Sequence, residues 1–288
     1  PGRREVEEAT DETMVVVGPY GERRRVWKHQ AGTPEHLGNE CVSPEIWRRD
    51  FRPRMTPERA AASVKVEHLQ NVAATGRRRH RWLCIGSRHV FCFIQTLVGD
   101  ETFLMAMVEQ PEWIREMAGV VTDCLHAQYD RALDAVGPVD GLFCYDDLAY
   151  TAAPFMSEAM YRDLFQPSHR RTAEFAHDRG MKMILHTDGD VRSLLDAIVE
   201  AGVDCLQPLE AKAGMDVRKL VPAWGDRLSL FGNIDMTVAL TNDRDRIAPE
   251  VLGKLEAGMA GRGYVFHSDH SVPPTVSWST YQYIMELV

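Results

Sequence analysis

The second half of the chain alternates short, continuous apolar runs with longer amphipathic segments. Hydrophobic residues occupy consecutive positions in each run, which is typical of parallel strands buried on both faces. The apolar runs are Gly141–Tyr145, Met181–Leu185, Val203–Leu206, Leu228–Phe231 and Tyr264–Phe266. A segment with helical spacing follows each run, so the pattern predicts five successive strand–helix units.

Capping residues, glycine and proline mark the helices between these strands. Ser157 is a predicted N-cap, and Pro167 predicts a break in the helix that runs on to Gly180. Pro111 opens a long helix that we expect to reach Val136. The remaining predicted helices are Val191–Ala201, Asp216–Val221, Asp243–Met259 and Trp278–Val288.

The N-terminal part of the chain shows a weaker pattern. Strands at Met14–Val17 and Arg25–Lys28, separated by a glycine-rich turn, predict a hairpin. Ser43 and Thr56 each precede a proline, as N-cap residues often do. We expect the helix after Thr56 to run to about Leu69.

Repeated strand–helix units allow two architectures. We predict an α/β fold of the distorted (β/α)8 TIM barrel type, a single domain over residues 81–288 with an N-terminal segment, residues 1–80, packed on it. The alternative is a doubly wound parallel sheet. That alternative lacks support because the chain has neither G-x-G-x-x-G nor G-x-x-x-x-G-K-[ST], the nucleotide-binding motifs often found on such sheets.

Composition narrows the functional classes. The chain is 44% hydrophobic and 26% charged, as in ordinary globular proteins, and its net charge of −9 argues against nucleic acid as a partner. No apolar run reaches the roughly 18 residues of a membrane span, and no signal-peptide pattern is visible. The six cysteines form no C-x-x-C pair and are interpreted as reduced thiols of a cytoplasmic protein. Because the chain begins with Pro1 and not with methionine, we expect the true N-terminus to be missing or disordered.

Polar residues follow all of the predicted strands. Because the carboxyl ends of parallel strands meet on one face, we expect these side chains to share a functional site. The alternative is that they cap helices and form turns, which Asp and Asn favour in any fold. The candidates are Tyr145, Asp146, Asp147, His186, Asp188, Gln207, Glu210, Asn233, Asp235, His267, Asp269 and His270.

Two kinds of chemistry fit these candidates. A zinc site with an open position takes three protein ligands, which His186, His270 and a carboxylate such as Glu210 would supply. Metal-free acid–base catalysis would use Asp146 or Asp147 with His186, because neighbouring carboxyl groups can hold different pKa values. Adjacent strand residues point in opposite directions, so we expect only one of the two carboxylates, Asp147, to enter the pocket.

Several segments occur in an order that points to a known family. They are Val98–Glu101 with Pro111-Glu112, Tyr145-Asp146-Asp147, Pro154–Ser157, Tyr161-Arg162-Asp163, His186–Gly189 and Phe231–Asp235. In this order they resemble the uroporphyrinogen decarboxylase superfamily, which also contains cobamide-dependent methyltransferases. The resemblance covers about residues 90–288 and implies a distorted (β/α)8 barrel.

The decarboxylase branch, as the resemblance implies, uses neither metal nor cofactor. It holds a tetrapyrrole through arginines near the N-terminus and through an aspartate at the pyrrole N–H groups. Its R-Q-A-G-R motif is absent here, because His29–Gly32 matches only in part and Thr33 stands where an arginine would be. In this hypothesis Asp147 and His186 lie in a metal-free pocket.

The methyltransferase branch, by the same resemblance, binds zinc through an H-x-C motif and a later cysteine. His186 matches the histidine, Asp188 replaces the first cysteine, and His270 stands about where the second would be. Nitrogen and oxygen ligands in place of thiolates would suit zinc that activates an oxygen substrate such as a methyl ether.

We therefore favour a zinc-dependent methyltransferase that moves a methyl group from a small donor to a corrinoid cofactor on a partner protein. His186 and His270, with Glu210 or Asp188, would hold the zinc, and Asp147 would orient substrate or transfer a proton. Further catalytic or substrate-binding roles are expected for Asp146, Asp188, Tyr145, Gln207, Asn233, Asp235 and His267.

Two alternatives to this function stay open. One is a metal-free decarboxylase of the uroporphyrinogen type, a lyase. The other is a non-catalytic protein that binds a corrinoid or a tetrapyrrole. The resemblance also suggests a homodimer, and we expect neither nucleic acid nor membrane as a partner.

Overall fold

The computed structural model describes residues 5–29 and 34–288. Gln30–Thr33, most of the partial match to the arginine motif, lies outside the described residues. The chain divides into two compact units. The N-terminal unit comprises residues 1–81 and 88–138, and the C-terminal unit comprises residues 82–87 and 139–288. The domain boundary after residue 80 stays a prediction.

The N-terminal unit begins with a four-stranded antiparallel sheet whose strands follow chain order. The strands are β1 (Glu5–Ala9), β2 (Thr13–Val17), β3 (Arg23–Trp27) and β4 (Glu35–Gly38). β2 and β3 pair along their whole length, which confirms the predicted hairpin.

Helices follow the sheet in the N-terminal unit. They are α1 (Pro44–Ile46), α2 (Pro57–Ala62), α3 (Val66–Arg78), α4 (Val90–Val98), α5 (Asp100–Glu109) and α6 (Pro111–Val136), with a π-helical turn at Trp47–Phe51 and a 3-10 turn at Arg52–Arg54. The bounds of α6 agree with its prediction. The helix predicted from Thr56 to Leu69 is wrong in its length, because the backbone N–H groups of Ser63 and Val64 bond to carbonyls only three residues back and α2 ends there.

In the described part of the chain, no single helix has the length and apolar character to cross a membrane. α4 and α5 reach that length and composition only as a pair, across a bend of 113°.

The C-terminal unit is built on a six-stranded sheet of β5 (Cys84–Arg88), β6 (Gly141–Tyr145), β9 (Lys182–His186), β10 (Cys205–Gln207), β11 (Ser229–Ile234) and β12 (Tyr264–Ser268). A short hairpin, β7 (Ala149–Tyr150) and β8 (Ala153–Pro154), follows β6. The six strands lie side by side in chain order, and β6, β9, β10, β11 and β12 run parallel. A doubly wound sheet would reverse its order at a switch point, so this succession agrees with the barrel type.

Helices connect the parallel strands. They are α7 (Glu158–Leu164), α8 (Gln166–His177), α9 (Leu195–Glu200), α10 (Val217–Trp224), α11 (Met236–Ala239), α12 (Arg244–Met259) and α13 (Trp278–Glu286), with 3-10 turns at Arg192–Leu194 and Ala211–Ala213. Ser157 caps α7 through a bond from the Met160 N–H, and Pro167 stands in the first turn of α8, so the predicted cap and break are confirmed.

Strand register brings the carboxyl ends of three strands level. Tyr145 pairs with His186, and His186 pairs with Gln207. Leu142 and Cys144 are fully buried, whereas Tyr145 is exposed, because alternate strand residues face opposite sides of the sheet. The polar ends of β6, β9 and β10 therefore lie next to one another.

Candidate functional site

His186 lies at the centre of the candidate site, at the end of β9. The aromatic ring of Tyr145 lies on one side of it, with ring centroids 5.1 Å apart, and Gln207 lies on the other. The Nδ1 N–H of His186 donates to the Oε1 of Gln207. An amide oxygen only accepts, so Nδ1 carries a proton in this bond, and Nε2 is the ring nitrogen that faces the rest of the site.

Two carboxylates face Nε2 of His186. Oδ1 of Asp147 lies 3.5 Å from Nε2 of His186, and Oδ1 of Asp188 lies 4.0 Å from it. The Asp188 backbone N–H donates to Oδ1 of Asp147 at 3.3 Å, which holds the two loops together. The ligand atoms of Asp147, His186 and Asp188, named here the open cluster, all lie within 4.8 Å of one another.

Burial and its two neighbours in the open cluster shift the pKa of Asp147. Partial burial raises the pKa of the Asp147 carboxyl above its usual value, the His186 imidazole opposes that rise, and the Asp188 carboxylate adds to it. Both carboxylate side chains are about two-fifths exposed, at 43% and 38%, so the cluster remains open to a ligand. Two carboxylates beside an imidazole form a donor set that a metal cation would stabilise.

Zinc fits this donor set. Four tetrahedral donors about 2.0–2.1 Å from a zinc ion are roughly 3.4 Å apart, close to the 3.5 Å between Asp147 and His186. Three protein ligands would leave one position for substrate, as in catalytic zinc sites. The Gln207 bond to Nδ1 supplies the outer partner that metal-binding histidines usually have.

Asp146 is turned away from the open cluster and is fully buried. Its Oδ2 lies 2.8 Å from Nε2 of His169, and Nδ1 of His169 lies 2.7 Å from the hydroxyl of Tyr161. All three side chains are fully buried, and we name them the buried trio. Burial raises the pKa of Tyr161 well above its usual value, and the Asp146 carboxylate adds to the rise.

Glu210, a predicted zinc ligand, lies outside the open cluster. One of its carboxylate oxygens accepts the Gly189 backbone N–H at 2.7 Å, and the other lies 2.9 Å from Nζ of Lys212. The Glu210 carboxylate therefore fixes the turn after His186 in place, and Lys212 balances its charge.

Asn233 and Asp235, both predicted to bind substrate, instead bond to nearby groups of the protein. Asn233 lies within β11, is fully buried, and its amide bonds to the backbone of Leu209, Met215 and Val217 at 2.5–2.8 Å. Asp235 is the N-cap of α11. For these two residues, the alternative that strand-end polar residues cap helices and form turns is the better description.

The last strand contributes to a cavity of about 460 Å³ beside His186 and Asp188. His267 and His270 both line it and are exposed. Asp269 also lines it, but its carboxylate accepts the backbone N–H groups of Met236 and Ala211 at 3.0 Å. Burial raises the pKa of Asp269, and these bonds oppose the rise.

A second, mostly apolar cavity of about 260 Å³ adjoins the first. Both are lined by His267, Ser268 and Val272, and the second is enclosed mainly by apolar side chains of β11, β12 and α13. The open cluster therefore borders a space with a polar and an apolar part, both formed by the C-terminal unit.

Sequence reasoning missed His169 as the partner of Asp146. His169 lies inside α8, and no motif singles it out. The only signal was indirect, because Tyr161 belongs to a segment that resembles the family.

Comparisons with known proteins agree with this architecture. Residues 91–288 match the family model "Uroporphyrinogen decarboxylase (URO-D)". The uroporphyrinogen decarboxylase of Chlorobium luteolum is 24% identical over 179 residues, which are 61% of this chain and 47% of that protein. The enzyme of the same name from Saccharophagus degradans is 34% identical over 98 residues, 34% of this chain and 26% of that protein. The matches thus span about half or less of these curated relatives.

A solved structure, a methyltransferase from Methanosarcina mazei, shares the fold. Its TM-score is 0.64 at 16% sequence identity, and the match covers 99% of this chain and 75% of that chain. This likeness confirms the predicted barrel-type fold class. Since the family model matches well over half of the chain, the predicted family is confirmed as well, and the chain belongs to the uroporphyrinogen decarboxylase (URO-D) family.

Proposed function

We propose that this protein is a zinc-dependent methyltransferase that moves a methyl group from a small oxygen-bound donor to a corrinoid. The observation that carries the proposal is the open cluster, in which Nε2 of His186 lies 3.5 Å from Oδ1 of Asp147 and 4.0 Å from Oδ1 of Asp188. The fold shared with a methyltransferase is consistent with it but carries no substrate information.

The ligand types favour an oxygen-bound methyl group. Thiolate ligands suit soft metals and soft substrates, whereas imidazole with carboxylates forms a harder site. When bound, zinc would supply Lewis acidity to the donor oxygen and make that oxygen a better leaving group. The C–O bond of the donor would break, the leaving oxygen would take up one proton, and the methyl group would pass to the corrinoid.

Residues of this chain would position both metal and donor. Asp147, His186 and Asp188 would hold the zinc, and Gln207 would fix the ring of His186 through its bond to Nδ1. His267 and His270 line the adjoining cavity and would contact the donor. This ligand set differs from the predicted one. Asp147 and Asp188 take the places of His270 and Glu210, since His270 is not part of the open cluster and Glu210 bonds to Gly189 and Lys212.

Methyl transfer to free cob(I)alamin tests this function. The purified protein is incubated with a panel of methyl ethers and with cob(I)alamin, and methylcobalamin is followed by its absorbance. We expect turnover by the wild-type protein and its loss in Asp147→Asn/Asp188→Asn. The matched control is His177→Gln, a histidine of the same unit that pairs with Asp204. Equal rates in the wild-type protein and the double variant would refute the proposal.

A metal-free decarboxylase is the second candidate, because the curated relatives carry that name. Decarboxylation of uroporphyrinogen by chelator-treated protein would support it and would argue against the methyltransferase. Binding of a corrinoid or tetrapyrrole without turnover of either substrate would favour the non-catalytic alternative. The corrinoid protein partner, the homodimer and the cytoplasmic location stay predictions.

A further inference from the structure

The N-terminal unit contains a cavity of about 370 Å³ that the proposed methyl transfer does not use. Its volume falls in the range of small-molecule sites. Apolar side chains of the β2–β3 hairpin and of α4 line part of it. The polar groups that line it belong to Tyr20, Glu22, Arg24, Arg88 and Thr96.

Three consecutive arginines of β3 show why this cavity is unusual. Arg23 and Arg25 lie on one face of the strand and form ion pairs with Glu7 at 2.6 Å and Glu35 at 2.5 Å. Arg24 points to the other face and lines the cavity. Its Nε is buried and has no hydrogen-bond partner among the described residues.

A buried guanidinium nitrogen without a partner is costly, and such groups usually bind a protein group, water or a ligand. A second guanidinium, that of Arg88, also lines the cavity, where its Nη1 donates to the Thr96 hydroxyl at 3.0 Å. Oε2 of Glu22 accepts the Tyr20 backbone N–H at 3.0 Å. Two guanidinium groups and one carboxylate leave the lining with a net charge of one positive unit.

We propose that this cavity binds a small organic monocarboxylate through Arg24 and Arg88. A planar carboxylate matches the paired N–H groups of a guanidinium and accepts two parallel bonds from it. One negative charge balances the net charge of the lining, whereas a phosphate dianion would exceed it. Val16, Val26 and Phe93 form an apolar wall for the body of the ligand.

Calorimetric titration with phenylbutyrate tests the assignment on the full chain. Its amide, phenylbutyramide, has the same shape without the charge, and inorganic phosphate is the competing anion. The test variant is Arg24→Gln, and the matched control is Arg25→Gln, which removes the same charge from the opposite face of β3. Arg88→Gln is a second test variant if Arg24→Gln fails to fold by circular dichroism.

We expect the carboxylate to bind the wild-type protein and the amide to bind at least about tenfold more weakly. Arg24→Gln or Arg88→Gln should weaken carboxylate binding by about tenfold or more, while Arg25→Gln changes it less than about twofold. Absence of carboxylate binding, equal binding of the amide, tighter binding of phosphate, or equal losses in the test and control variants would each overturn the proposal.

Discussion

Asp146 and Asp147 are neighbours in the chain, yet their carboxylates lie in opposite environments. Asp146 is fully buried, and Oδ2 of its carboxylate lies 2.8 Å from Nε2 of His169. Asp147 has a side chain that is 43% exposed, and Oδ1 of its carboxylate lies 3.5 Å from Nε2 of His186. The fold itself provides a close partner for the buried carboxylate. The carboxylate of Asp147 faces Nε2 of His186 and a second carboxylate at a partly exposed position, an arrangement that a cation from solution would fit.

At the end of one strand, therefore, one carboxylate is placed for stability and its neighbour for ligand binding. The buried trio of Asp146, His169 and Tyr161 should contribute to folding, because removing one member of a buried pair leaves a desolvated polar group behind. The open cluster should contribute little to folding and most to ligand binding. Variants that act on one region and spare the other therefore test the comparison.

The largest expected effect is that of His169→Ala on stability. Loss of the imidazole beside the buried Asp146 should lower the free energy of unfolding by about 3–5 kcal/mol. Urea unfolding at neutral pH measures it. The control is His177→Ala, whose partly exposed pair with Asp204 should account for no more than about 1 kcal/mol. Equal losses in the two variants would erase the distinction between buried and open pairs.

The next effect concerns metal affinity. Gln207→Leu removes the acceptor that orients His186, and zinc affinity should fall by about 10–100-fold, as measured by calorimetry. Gln166→Leu is the matched control, because it removes another buried amide, one that donates to the Ala197 carbonyl. It should leave zinc affinity unchanged. A Gln207→Leu protein that binds zinc as tightly as wild type would show that His186 is not oriented in this way.

Tyr161→Phe should have a smaller effect on stability. It deletes the hydroxyl that lies 2.7 Å from Nδ1 of His169, and we expect a loss of about 1–2 kcal/mol in the free energy of unfolding. Tyr281→Phe, at an exposed position, is the control and should change nothing measurable. If Tyr161→Phe left the free energy of unfolding unchanged, the Tyr161 hydroxyl would not contribute to the stability of the buried trio.

The smallest expected effect is on the pH dependence of stability, and it concerns Asp204, which belongs to neither the buried trio nor the open cluster. Burial alone would raise the pKa of Asp204, but bonds from Lys182, the Met183 N–H and His177 outweigh it, and the pKa is lowered. A carboxyl group whose pKa is lower in the folded state stabilises the protein at pH values above its unfolded-state pKa of about 3.9. That stabilisation is lost as the pH falls through the folded-state pKa. Asp204→Asn should therefore cost about 1 kcal/mol or less at pH 6.

The cost of Asp204→Asn should shrink as pH falls below about 4, which unfolding curves at several pH values would measure. A difference from wild type that stays constant down to pH 3 would contradict the role of the ionised carboxylate. Asp226→Asn, at a carboxylate that is 82% exposed, serves as the control.

The sequence predicted the strands of the C-terminal unit because buried parallel strands leave continuous apolar runs. Gly141–Tyr145 was predicted with the bounds that the structure has, and Leu228–Phe231 extends in the structure to Ile234. The extension matters because it places Asn233 within β11, where its amide binds backbone groups. A polar residue at a strand end has the same appearance in the sequence whether it binds backbone or ligand.

The candidate site was predictable only to the level of strand ends. That His186 and Asp188 lie beside one cavity follows from parallel strand topology. The different partners of Asp147 and Glu210 depend on distances between loops, which no local pattern encodes. His169 was missed because its partner Asp146 is 23 residues away and is reached only through the packing of α8.

Zinc titration of the chelator-treated protein tests the central claim most directly. Isothermal calorimetry compares the wild-type chain with Asp147→Asn/Asp188→Asn, and with Asp196→Asn as a control carboxylate on α9. We predict one zinc ion per wild-type chain, an unchanged affinity in the control, and a loss of at least about 100-fold in the double variant. A wild-type protein that binds no zinc, or a double variant that binds it as tightly as wild type, would contradict the account.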